Sequence, residues 1–238
     1  MKTNHLLIAL IFFIALMMTG CAPRARVGSL RTVSKAVEVG DAKLVRVEIY
    51  LGAGDLKLTG GAEKLLEADC NYNVAELTPE MEFTDGVLVL RQPDVEGLPA
   101  LQNITDYRNV WELRLNNEVP VDLNVDVGAG TGDLQLTGLS LTRLDVSLGA
   151  GKYTVDLSGN WIRDLDVTID AGAANVNVRL PMEIGARVKV EAGPHTIEAL
   201  GLTREGNVYT NAAYGVSGVT LQIDLEAGIG QIKLEVEN

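Results

Sequence analysis

Nucleophilic catalysis needs a serine, threonine or cysteine beside a base, most often histidine. The chain has 238 residues but only two cysteines and two histidines. His5 lies in an apolar leader, and His195 follows Pro194 in an expected turn. Cys70 alternates with Asp69 and Asn71 on an expected strand, facing inward and far along the chain from His195. A Cys70–His195 pair is therefore not read as a catalytic unit. No phosphate-binding glycine loop and no His/Cys cluster with metal spacing occurs, so no cofactor is expected. Carboxylates number 32. Two suffice for glycoside hydrolysis, but no spacing singles out a pair. Asp145 and Asp166, one repeat apart, could share a Ca²⁺ ion. Against this, the nine-residue Gly/Asp calcium repeat is missing, and Arg187 and Lys189 fall in the same columns as compensating charges. The expectation is a non-enzyme with no metal and no catalytic residue, and a glycan hydrolase or lyase is the minor alternative.

These residues are carried by a repeat. Leu123-Asn-Val-Asp-Val-Gly-Ala-Gly returns as Leu144-Asp-Val-Ser-Leu-Gly-Ala-Gly, Leu165-Asp-Val-Thr-Ile-Asp-Ala-Gly and Ala186-Arg-Val-Lys-Val-Glu-Ala-Gly, in steps of 21 residues. Two further copies run from Val47 to Gly54 and from Leu221 to Gly228. Alternating apolar residues in each unit predict two short strands around a Gly-Ala-Gly turn. At 21-residue steps the inward positions form columns: Val125, Val146, Val167, Val188, then Val127, Leu148, Ile169, Val190. The expected fold is all-β, a β-solenoid-like stack of short strands, with an antiparallel β-sandwich as the alternative. A single unit cannot bury its own edges, so neighbours must share one core. Residues 92–109 contain Pro93, Gly97 and Pro99 and show no period, so they are expected to be the longest loop. An insertion around Gly201–Gly218 interrupts the repeat. Trp161 at an expected corner, and Tyr209 and Tyr214 in the insertion, are the candidate interaction residues.

Residues 1–20 are expected to be a signal peptide. Lys2 precedes an apolar run from Leu6 to Met18, 13 residues long and too short to span a bilayer comfortably. Thr19-Gly20-Cys21 resembles a bacterial lipobox, with Met18 where leucine is commonest. The resemblance implies a lipid on Cys21, which becomes the mature N-terminus. Residues 21–36 would form a lipidated tether with Arg24, Arg26, Arg31 and Lys35 and no acid, suited to an anionic membrane surface. Residues 37–238 would form one domain. The net charge of −12 argues against nucleic acid as a partner. An exposed terminal rung leaves a homo-oligomer open.

The Gly-Ala-Gly repeats resemble the toast-rack family of bacterial envelope proteins. So do Trp111-Glu-Leu-Arg-Leu, Pro120-Val-Asp-Leu and Leu180-Pro-Met-Glu-Ile-Gly-Ala-Arg-Val-Lys-Val. The same ordered set resembles the C-terminal domain of LiaF-type regulators of the response to cell-wall-active antibiotics. The resemblance implies a rack of stacked strands held outside the cytoplasm, with an envelope protein partner and a role in envelope-stress sensing. An adhesin or a module that binds cell-wall glycan is the alternative. It brings no catalytic residues. LiaF-type proteins carry transmembrane helices before this domain, whereas a lipobox stands there in this chain.

Overall fold

The computed structural model describes residues 27–40, 43–94 and 106–237. The leader and Cys21 lie outside them, as do residues 95–105 of the expected long loop and the side chain of His195. The described chain is a mixed sheet of 14 strands. In chain order these are β1 (Val27–Val37), β2 (Val45–Gly60), β3 (Leu66–Val74), β4 (Glu80–Thr84), β5 (Val87–Arg91), β6 (Asn109–Leu115) and β7 (Val121–Gln135). They continue as β8 (Leu141–Asp156), β9 (Leu165–Pro181), β10 (Gly185–Ala192), β11 (His195–Leu200), β12 (Thr203–Glu205), β13 (Val208–Thr210) and β14 (Thr220–Glu237).

Five of the six repeats are each one long bent strand, β2, β7, β8, β9 and β14, and only the repeat that opens at Ala186 is split in two, as β10 and β11. In β7 the buried positions before the glycines are Val121, Leu123, Val125 and Val127. After the glycines burial falls on Leu134, and then on Leu136 just past the strand. Burial thus passes from odd to even positions across Gly128-Ala-Gly. The strand turns a corner there, and both halves face one continuous core. The halves before the corner make one wall and the halves after it make a second.

β2, β7, β8, β9, β14 and β10 lie side by side and run parallel, which is the solenoid expected and not the sandwich. Two details differ from the 21-residue columns. Leu123 pairs with Leu144 at the expected offset, but Leu144 pairs with Val167, so the ladder slips by two residues between β8 and β9. The turn after β8 is longer, and Trp161 packs into it, its indole N–H donating to the Leu157 carbonyl at 2.9 Å. A slip of two leaves every side chain on its original face, so the core does not resist it. The second difference is order: β14 lies between β9 and β10. Val167 therefore pairs with Ile223, and Ile223 with Val188.

The corner is built from glycine. Gly52, Gly128, Gly149, Gly172, Gly228 and Gly193 stack in a row. A Cβ on Gly149 would lie 1.9 Å from the Gly128 carbonyl oxygen, and one on Gly228 2.6 Å from that of Gly172. Two residues further on, Gly130 and Gly151 have φ of 138° and 152°, which side chains rarely adopt. The corner also needs a buried amide. Asn109 donates to the Ala53 carbonyl at 2.7 Å and to Gln92 Oε1 at 2.9 Å, and accepts from the Trp111 indole at 2.9 Å.

Residues 27–36, read from the sequence as part of the tether, belong to β1, which pairs antiparallel with β3 and packs Val37 against the core. The insertion is also ordered: β12 and β13 form a hairpin that extends the first wall beyond β10.

Candidate functional site

A groove of about 660 Å³ runs along the glycine corner. Its floor is the bare backbone of the glycine row. Its rim is the row of side chains two residues earlier on each strand, Asp126, Ser147, Asp170, Glu226 and Glu191, and Tyr50 continues that row into the neighbouring hollow. Parallel pairing places these on adjacent strands, about 4.8 Å apart per rung. The groove continues at Asp126 and Gly128 into a hollow bounded by Arg91, Gln92 and Asp94.

Charge is graded toward this corner. The outward row farthest from it, Arg46, Asp122, Arg143, Asp166, Gln222 and Arg187, mixes both signs, and Arg46 contacts Asp122 at 3.2 Å. The next row, Glu48, Asn124, Asp145, Thr168, Asp224 and Lys189, has one cation. The corner row from Tyr50 to Glu191 has four carboxylates and no cation of its own. Lys189 reaches Glu191 from the row behind. Partial desolvation raises the Asp126 carboxyl, and burial together with a hydrogen bond to Glu48 raises the Tyr50 phenol.

Such a row can accept hydrogen bonds from hydroxyl or amino groups spaced along an extended ligand. A glycosidase pairs a raised carboxyl with a second carboxylate. Here the raised carboxyl is Asp126, and its row neighbours are Tyr50 and Ser147. Among the described residues no group of three or more His, Cys, Asp or Glu side chains is arranged to hold a metal.

The residues singled out from sequence lie elsewhere. Trp161 is 6% exposed, beside a smaller pocket at the opposite corner. Tyr209 is 2% exposed and closes the core end beneath Arg204, whose guanidinium sits 5.4 Å from its ring centre. Both are candidates for contact by sequence, yet both are packing residues. Tyr214 is 39% exposed, in the turn that follows β13. None of the three lines the groove. Asp145 and Asp166 do not stack: the slip puts Thr168 beside Asp145, which instead bonds Arg143 at 2.7 Å. Cys70 is buried on β3, and burial pushes its thiol up to about 12. β3 and β11, the strand that opens at His195, lie toward opposite ends of the stack. The corner row was missed because it appears only when each unit is read at the position two before its first corner glycine.

Residues 26–179 match the family model described as the N-terminal domain of toast_rack, DUF2154. The crystal structure of a candidate cell adhesion protein from Clostridium sporogenes ATCC 15579 is 31% identical to this chain. It superposes with a TM-score of 0.84, and the match covers 88% of this chain and 100% of that one. A candidate adhesin from Bacteroides fragilis NCTC 9343 is a distant likeness, 12% identical over 90% of this chain and 100% of its own, with a TM-score of 0.37. No curated protein matches.

Proposed function

The chain belongs to the family of the N-terminal domain of toast_rack, and from that premise we propose that it is an adhesion module of the bacterial cell envelope, anchored outside the cytoplasm by a lipid on Cys21. It works by contact and not by catalysis. The observation that carries this reading is the likeness to the Clostridium sporogenes protein, which spans that whole chain at 31% identity. The groove supplies a contact surface: a rigid rim of carboxylates and hydroxyls over bare backbone. Adhesion is preferred to envelope-stress sensing because the similar protein is described as a cell adhesion protein. The sensing role rests on the LiaF-type resemblance alone.

The test is retention of the purified full chain, in detergent, on purified peptidoglycan and on intact cells. Saturable retention, weakened in an Asp126→Asn, Asp170→Asn, Glu226→Gln triple variant, is the expected result. The reading fails if nothing is retained on either surface while in-cell crosslinking captures a membrane kinase, and more of it after a wall-active antibiotic. That outcome would establish the sensor. The anchor has its own test: Cys21→Ser should leave the chain unprocessed and unlipidated, and a variant still processed and held in the membrane would refute it.

A further inference from the structure

The two ends of the solenoid differ in how near they lie to the start of the chain. Val27 opens β1, the last strand of the second wall, and pairs with Val74 on the side of the glycine corner. Cys21 lies six residues before it. Six residues reach at most about 20 Å. The other end of the same wall is β11, and β3, β6, β2, β7, β8, β9 and β14 lie between. At about 4.8 Å per strand this wall is roughly 40 Å from end to end. A lipid on Cys21 would hold β1 within reach of the bilayer surface, and β11 could not then be the end that rests there.

The residues at the β1 end suit an anionic lipid surface. The inner row of β1 is Arg31, Val33, Lys35 and Val37, opposite Tyr72, Cys70, Ala68 and Leu66 of β3. Across the core β4 is the last strand of the first wall, and its inner row is Met81 and Phe83, opposite Leu90 and Leu88 of β5. These two rows flank the end of the core, and they combine two cations with four apolar side chains and no carboxylate. The apolar groups are not fully covered: Phe83 is 36% exposed, and Leu30, next to Arg31, is 63% exposed. Among the described residues neither Arg31 nor Lys35 is in an ion pair; the pairs at this end are Lys64 with Glu38 and Arg91 with Glu80. Other carboxylates nearby lie on outer rows or in connections, as Asp69, Glu82, Glu76 and Asp85 do. In a chain of net charge −12, free cations beside exposed apolar side chains mark this end out.

We propose that the β1 end of the solenoid is its membrane-facing end, seated on the anionic headgroups of the bilayer that holds the lipid. Arg31 and Lys35 meet the headgroups, and Leu30 and Phe83 enter the interface beside them. This inference rests on the reading of Cys21 as the lipid-bearing residue. The stack then stands on end, and the carboxylate row rises away from the membrane, from Asp126 on β7 nearest the lipid to Glu191 on β10 farthest from it. A chain lying on its glycine corner would instead press that row against like charge. Standing on end leaves the groove open to whatever lies beyond the membrane surface.

The test uses the purified lipid-bearing chain in vesicles of phosphatidylcholine and phosphatidylglycerol with an acceptor dye on the headgroups. A donor dye is placed on one introduced cysteine at a time: Ala36→Cys on β1, Glu205→Cys on β12 at the far end, and Val216→Cys in the turn before β14, all at exposed positions. Cys70 is buried and stays unlabelled. Energy transfer should be strong from position 36 and weak from 205 and 216. It should fall at position 36 when Arg31→Glu and Lys35→Glu are introduced together, and equally when salt is raised or phosphatidylglycerol is left out, two arms that need no substitution in the seat. Transfer from 205 or 216 as strong as from 36, or transfer from 36 that ignores charge, salt and lipid alike, would overturn the seat and leave the anchor standing. If the chain without an introduced cysteine takes a label on Cys21 and washes off the vesicles, the anchor itself fails, and the seat with it.

Discussion

Gly149→Ala isolates the packing role of the corner. The Gly149 backbone lies outside the left-handed region, so alanine pays no conformational penalty and any loss is steric. The new Cβ would sit 1.9 Å from the Gly128 oxygen and 2.8 Å from its carbonyl carbon. A close C···O contact is about 3.3 Å, so the strands must part by more than an ångström at a ladder that continues on both sides. Overpacking costs about 1–3 kcal/mol when side chains can adjust. Here the obstacle is backbone, so the expected loss is about 3 kcal/mol or more, a large share of the ~5–15 kcal/mol that holds a typical domain. Gly218 is the control, because nothing lies within 4 Å of its Cβ position and its φ is ordinary. Gly218→Ala should be neutral or stabilise by up to about 1 kcal/mol. Urea unfolding followed by tryptophan fluorescence reads both, with unchanged m showing that the unfolded state is not involved. A Gly149→Ala midpoint equal to that of Gly218→Ala would refute the steric argument.

Three further outcomes follow from buried and charged groups. The Cys70 thiol is raised to about 12 in the folded chain by burial, so the unfolded chain loses this proton first. Stability should therefore be unaffected below about pH 8.5 and fall above it, by at most about 1.4 kcal/mol per pH unit; Cys70→Ala should flatten that alkaline slope in pH-dependent urea melts. Asn109→Ala leaves the buried Trp111 indole N–H without its acceptor, while the Ala53 carbonyl keeps the Tyr107 hydroxyl and Gln92 Oε1 keeps the Ala53 amide, and it should cost about 2 kcal/mol, read in the same melts. Ser147 stands between Asp126 and Asp170 in the corner row, so Ser147→Lys should be more stable than Ser147→Asp by about 1 kcal/mol at low salt, with the gap closing as salt is added.

The stack was legible because its period is written in side chains that must be buried. What the period could not express was adjacency. Leu165-Asp-Val-Thr-Ile-Asp-Ala-Gly aligns with Leu144-Asp-Val-Ser-Leu-Gly-Ala-Gly letter for letter at the Ala-Gly pair, yet Gly172 stacks on Gly149 and not on Gly151. An even slip preserves the pattern of burial, and so it leaves no trace in the sequence. The position of β14 between β9 and β10 is silent for the same reason, since Ile223 and Leu225 would fit any rung. Trp161 and Tyr209 stood out as contact candidates because turn and insertion sequences resemble surface. Each is instead the plug of an irregularity: Trp161 fills the long turn that absorbs the slip, and Tyr209 closes the end of the core where the second wall stops at β11. The corner row escaped notice because its residue types vary from unit to unit and only their offset from glycine is fixed.

That row is the part of the fold that packing does not explain. Like charges on neighbouring strands are destabilising, and Asp170, Glu226 and Glu191 follow one another without a cation among them. The strands themselves do not impose this. Four residues earlier on β2, β7 and β8, the same wall alternates Arg46, Asp122 and Arg143. Nor does the corner demand acids, since Ser147 and Tyr50 occupy equivalent places. A local arrangement that opposes stability, set in a groove whose floor is already fixed by glycine, is where a binding function belongs. Rigidity then works in its favour. The rim is held by ladders on both sides, so a ligand that meets it orders little of the protein. Each contact can be weak, provided the ligand repeats along its length and several rungs are engaged at once. Neutralising one carboxylate should therefore weaken retention modestly, and neutralising three should weaken it by much more than a single contact could.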